Sequence, residues 1–170
     1  MKPPPPYEDA VTFQFGDSPA LADELLALVL AGAKTATCGA LRDFNDREPV
    51  PQAGRRDVVL DGQGRPACAI ETTSVLIQRF DQVDEAFALA EGEGPYEAWR
   101  DGHIAYFDRN GGYAPDMMLV CERFRVVDVF VRNEKSAGLA ISRRFFFLGT
   151  RKDQRRGAAQ PCSPPLPRPR

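Results

Sequence analysis

The sequence predicts an α+β domain, a small mixed or antiparallel β-barrel with helices packed against it. Three observations carry this. Apolar residues recur at helical spacing over 19–31, and further helical stretches follow at 84–90 and 95–108. Strand-like runs at 35–40, 57–60, 66–80 and 117–130 lie between the helices without regular alternation. Two of these runs flank Asp61-Gly62-Gln63-Gly64, a hairpin signal, because glycine permits the positive φ a tight turn needs.

Taken in order, residues 1–10 are proline-rich and polar, and are expected to be extended or disordered. Val11, Phe13 and Phe15 alternate as in a short strand or apolar anchor. Ser18-Pro19 reads as a cap followed by a first-turn proline, and Leu21, Leu25, Leu28 and Val29 form the buried stripe of the helix it opens. Gly32 stops that helix. The stretch Gly32-Ala33-Lys34-Thr35-Ala36-Thr37 then turns the chain into a strand over 35–40. Residues 42–54 hold Asn45, Asp46, Pro49 and Pro51, a loop composition, over a length that suffices to cover a pocket. Pro95 opens a helix with an aromatic face (Trp99, Ile104, Tyr106, Phe107), whose ordinary role is core packing. Residues 117–130 alternate over a long run and read as a central strand.

At 170 residues, with 43% hydrophobic and 27% charged content, the chain accommodates one globular domain with a core. No apolar run is long enough to span a bilayer, and Met1-Lys2 followed by Pro3 to Pro6 lacks the apolar core of a signal peptide. A cytoplasmic location without membrane contact is therefore expected. Cys38, Cys68, Cys121 and Cys162 form no C-x-x-C pair, and three of them sit in apolar runs as buried thiols do. His103 is the single histidine, which leaves little for a His-based triad or a multi-histidine zinc site; no metal or cofactor is expected. Charge is uneven. Residues 1–131 carry 12 Lys/Arg against 22 Asp/Glu, and residues 132–170 carry 10 against 2. This divides the chain into an N-terminal segment (1–10), an acidic folded body (11–131) and a basic, proline-rich, flexible tail (132–170) able to touch RNA phosphates.

The residues with chemistry each carry two readings. Lys34 is a solvated cation or, in a cleft, a base; Thr37 is a cap or a nucleophile. Glu71 interrupts the apolar pattern of its strand, which places it on the solvent face or against a partner. Glu91 and Glu93, between glycines before a helix, complement its dipole or enter a cleft.

Together these segments resemble the ASCH domain, a member of the PUA-like superfamily. The resemblance is carried by Phe15-Gly16-Asp17-Ser18, Gly32 to Thr37, Leu60 to Pro66, Ile70-Glu71-Thr72-Thr73, Ala90 to Gly94, and Asp116 to Phe124, over about residues 11–130. It implies a PUA-like small mixed β-barrel with flanking helices and a cleft lined by the G-x-K-x-x-T stretch. Small relatives in this superfamily hydrolyse the amide of N4-acetylcytidine with a Lys, a Thr three residues later and a distant Glu. Lys34 and Thr37 match the first two, and Glu93 matches the third best, with Glu91 and Glu71 as further candidates for contacting substrate. The implied function is a metal-independent amide hydrolase with Lys34 as base and Thr37 as nucleophile, acting on an acylated nucleoside. A non-catalytic RNA-binding module or a ribonuclease is the alternative. Burial would have to lower the pKa of Lys34 for that role, and a carboxylate beside it works the other way. Backbone N–H groups near Gly92 and Gly94 are candidates for an oxyanion site. The acidic body favours a small nucleoside over polymeric RNA.

Overall fold

The computed structural model describes residues 2–46 and 48–130. Its strands and α-helices follow in the order β1 (Thr12–Phe13), α1 (Pro19–Leu30), β2 (Ala36–Ala40), β3 (Arg56–Leu60), β4 (Pro66–Arg79), α2 (Glu85–Ala90), α3 (Tyr96–Arg109) and β5 (Met118–Val129). Local chemistry accounts for their ends. The Ser18 hydroxyl accepts from Leu21 N at the start of α1, Asp84 caps α2 by accepting from Phe87 N, and Gly32 takes φ +71° just beyond α1.

The strands form one mixed sheet in the order β1-β3-β4-β5-β2, with β1 parallel to β3 and the remaining pairs antiparallel. The α+β class with a mixed sheet is as the sequence predicts. Closure is not: β1 and β2 are the two edges and do not pair with each other, so the expected barrel is an open sheet among the described residues. The reason is partly length, since β1 has only two residues to offer.

Side chains alternate across β5, which therefore serves two cores. Leu119 and Cys121 face α2 and α3, where Phe80, Phe87, Trp99 and Phe107 are buried. The ring of Phe80 stacks on Trp99 at 5.6 Å. Phe124 faces the other way, toward Phe15, Val59, Ile70 and the α1 residues Leu25, Leu26 and Val29. Each fully buried large apolar side chain contributes about 1.5–3 kcal/mol. The sheet is thus sandwiched, with α1 on one face and α2 and α3 on the other.

Residues 2–10 are better anchored than their composition suggests. Tyr7 is buried with Val58 and Ala69, and its ring meets Phe130 at 5.5 Å, so one aromatic side chain pins a proline-rich segment to the sheet. The expected flexible tail, 132–170, lies outside the described residues. No helix among the described residues is long and apolar enough to cross a membrane.

Candidate functional site

Lys34 follows the turn at Gly32 and is only 1% exposed. A lysine so deeply buried needs fixed counter-charge, and the loop between α2 and α3 supplies it. Nζ donates to Glu91 Oε2 at 2.8 Å and to Glu93 Oε1 at 2.7 Å. Glu91 is equally buried, and its Oε1 accepts from Trp99 Nε1 at 3.2 Å. Gly92 brings the loop this close. At φ +73° it lies against the Ala33 backbone, where a Cβ would fall 2.5 Å from the Ala33 carbonyl oxygen.

Burial alone would push the Lys34 ammonium toward neutrality, but the Glu91 and Glu93 carboxylates outweigh it and raise its pKa above the ordinary value. The base role expected of Lys34 needs the opposite shift. Burial likewise opposes charge on Glu91, and the Lys34 ammonium overrides it, holding that carboxyl below its ordinary value. The Gly92 N–H, a candidate oxyanion donor, is taken by the Leu89 carbonyl at 3.1 Å.

Behind Glu91 stand His103 and Cys38. His103 stacks on Trp99 at 4.4 Å and pairs its Nδ1 with the Trp99 carbonyl at 2.9 Å, which turns Nε2 toward Glu91 Oε1 at 3.7 Å. One ligand atom each from Cys38, Glu91 and His103 lies within 4.8 Å of the others, the spacing a small metal ion uses. A divalent cation there would face the Lys34 ammonium through the shared Glu91 carboxylate, and the half-buried Cys38 thiol is held well above its ordinary pKa by desolvation and the nearby Glu91 charge. The cluster reads as a buried polar network.

Thr37 is elsewhere. Successive strand residues point to opposite faces. Ala36 and Ala40 enter the core under α2 and α3, while Thr37 lines a half-open pocket of about 220 Å³. Among the described residues no hydrogen bond joins Thr37 to Lys34, Glu91 or Glu93. The structure pairs Lys34 with Glu91 and Glu93, while Thr37 faces the pocket without bonding to them; the Phe15 ring, 5.5 Å from Lys34 Nζ, and Cys38 line that same pocket. Glu71 belongs to neither group. It sits near the surface between Arg56 (2.9 Å) and Arg125 (2.6 Å), paired across β3, β4 and β5.

The pocket occupies the gap that the open sheet leaves between its edges. Phe13 and Phe15 line it from the β1 side, Thr37 and Gly39 from β2, and Asp43, Phe44, Glu48 and Pro51 from the loop over 42–54. Its sheet wall holds two acids that sequence reasoning did not single out. Glu122 pairs directly opposite Thr37 on β5. It is 7% exposed and accepts from the Thr72 hydroxyl at 2.6 Å, beside the bulge at Thr72/Ser74 in β4. Burial raises its pKa, the Thr72 bond opposes this, and the charge of Asp57 adds to the rise. Asp57, on β3, is 2% exposed; Arg55 Nε and Nη2 both donate to its Oδ2, at 2.9 and 2.6 Å, and its Oδ1 has no hydrogen-bond partner among the described residues. The signal for both was present: a carboxylate inside an apolar strand, the same pattern that drew attention to Glu71.

Comparison with known proteins agrees with this architecture. The family model described as the ASCH domain matches residues 11–128. A protein of Enterococcus faecalis with a solved structure is 38% identical, with a TM-score of 0.65 over 72% of this chain and 82% of its own. An ASCH domain from Lactobacillus crispatus is 34% identical, with a TM-score of 0.65 and the same two coverages. No curated protein matches the sequence.

Proposed function

Since this chain belongs to the ASCH domain family, we propose that its pocket binds a small acylated nucleoside, of the N4-acetylcytidine type, and hydrolyses the amide with Thr37 as nucleophile. The observation that carries this is the pairing of Thr37 with Glu122 across β2 and β5 at the pocket wall. Directly opposite residues of an antiparallel pair have Cβ atoms about 4.5–5.5 Å apart, within reach of a shared proton. A threonine hydroxyl needs such a base, and a carboxyl whose pKa burial has raised takes and returns a proton more readily than an exposed one.

In this scheme the Thr37 hydroxyl attacks the acyl carbonyl while its proton passes to Glu122. Collapse of the tetrahedral intermediate breaks the C–N bond, and Glu122 gives the proton to the departing amine. Water then attacks the Thr37 ester, Glu122 takes its proton, and the carboxylic acid leaves as the Thr37 hydroxyl is restored. The base role thus passes from Lys34 to Glu122. Lys34, with Glu91 and Glu93, fixes the loop and turn behind Phe15. An RNA-binding or ribonuclease reading is disfavoured by charge, since a phosphodiester in the pocket would meet Asp43, Glu48, Asp57 and Glu122, with Arg55 as the one cation among the described lining residues.

The test is release of cytidine and acetate from N4-acetylcytidine, followed by chromatography. Thr37→Ala is expected to lower the rate by about 100-fold or more with an unchanged melting temperature. Absence of turnover across a panel of acylated nucleosides would overturn the proposal. Cleavage of single-stranded RNA in chelator, lost in the same variant, would favour the ribonuclease.

A further inference from the structure

We infer that Asp57 sets the specificity of this pocket: its free carboxylate oxygen accepts an N–H from the ligand and selects an amino-substituted heterocycle edge, of cytosine type, over a keto-substituted edge of uracil type. The inference rests on the preceding reading only for where the ligand sits.

Asp57 lines the pocket at 2% exposure, and its two oxygens differ. Oδ2 takes both bonds from Arg55, while Oδ1 takes none among the described residues. A buried carboxylate oxygen left unpaired is costly, and native structures retain few without a reason. The nearby cation does not relieve it, because Arg55 Nε and Nη2 are aimed at Oδ2 and Nη1 at the Pro49 carbonyl, 2.9 Å away. The acids Asp43, Glu48 and Glu122 add further acceptors to the lining. A ligand that turns an N–H to this wall satisfies Oδ1. One that turns a carbonyl to it sets acceptor against acceptor with no water between. The rings of Phe15, Phe44 and Tyr106 give the same pocket apolar walls suited to a flat heterocycle.

The experiment is calorimetric binding of cytidine, uridine and the 4-unsubstituted pyrimidinone riboside to the full chain and to Asp57→Asn. The wild type is expected to prefer cytidine to both by about 10- to 100-fold, the worth of one hydrogen bond to a charged group. In Asp57→Asn the amide oxygen can stay on Arg55 and present its NH2 to the pocket, so the preference should collapse or turn toward uridine. A merely structural aspartate would change stability without reordering the ligands. If Asp57→Asn does not fold, the wild-type comparison of cytidine with the unsubstituted riboside makes the same deletion from the ligand side. Equal affinities in the wild type, no binding of any of the three, or a folded variant with the original order would overturn the inference. Preference for cytidine without turnover of its acetyl derivative would sink the hydrolase and leave this standing; turnover without preference would do the reverse.

Discussion

Lys34 Nζ and Glu91 Oε2 lie 2.8 Å apart with both side chains 1% exposed, so the most deeply buried charges of the described fold neutralise each other. Such a pair is worth less than its Coulomb attraction suggests, because both ions have left water, yet removing one partner strands the other. Lys34→Met should therefore destabilise the protein by about 3–5 kcal/mol in urea denaturation. Adding Glu91→Gln should recover part of that loss, since contacting residues are not additive. A loss under about 1 kcal/mol for Lys34→Met would mean that Glu91 is solvated.

The Gly92 backbone is the device that brings the pair together, and it can be tested against Gly32. Both adopt positive φ, but a Cβ at Gly92 meets the Ala33 carbonyl carbon at 2.8 Å, whereas one at Gly32 meets nothing within 4 Å. Gly32→Ala should cost only the left-handed conformation, about 1 kcal/mol. Gly92→Ala should cost more, because the Ala33 and Lys34 backbone must also give way. Melting curves showing equal losses would refute the close approach.

As the proposed base, Glu122 would give the proposed hydrolysis its pH dependence. Burial, assisted by Asp57 and opposed by Thr72, raises its pKa above the ordinary 4.5, so the neutral form persists to higher pH in the folded chain. The folded state then binds more protons than the unfolded state between the two values, and stability falls as pH rises through the raised one. Activity moves the other way, because the base form appears as that proton leaves. The acidic limb of kcat should have a midpoint above 4.5 and vanish with the activity in Glu122→Gln, which should also flatten the decline in stability. A limb centred at the ordinary carboxylate value, or an active Glu122→Gln, would assign the base elsewhere.

Much of the fold is legible locally. Ser18, Pro19 and Gly32 mark the ends of α1, and Asp61 to Gly64 mark the hairpin between β3 and β4, because caps and turns depend on residues close in sequence. The family is legible for the same reason, since its motifs are short segments. The site is only half legible. Lys34, Glu91 and Glu93 were candidates and do meet, but Glu71 shares the strand pattern of Glu122 and ends at the surface between two arginines. Nothing local separates those two glutamates. Glu71 has Arg56 and Arg125 as cross-strand partners, while Glu122 pairs opposite Thr37 and is bonded by Thr72.

The elements, their order and the acidic character of residues 1–131 follow from composition, periodicity and turn chemistry along the chain. Tertiary structure alone decided which face each side chain took and where the sheet stayed open. Strand alternation turns Ala36 and Ala40 into the core and Thr37 toward the pocket, and the unpaired edges of β1 and β2 leave the gap that becomes the pocket. Both depend on pairing between residues far apart in sequence, where a shift of one position would exchange the two faces.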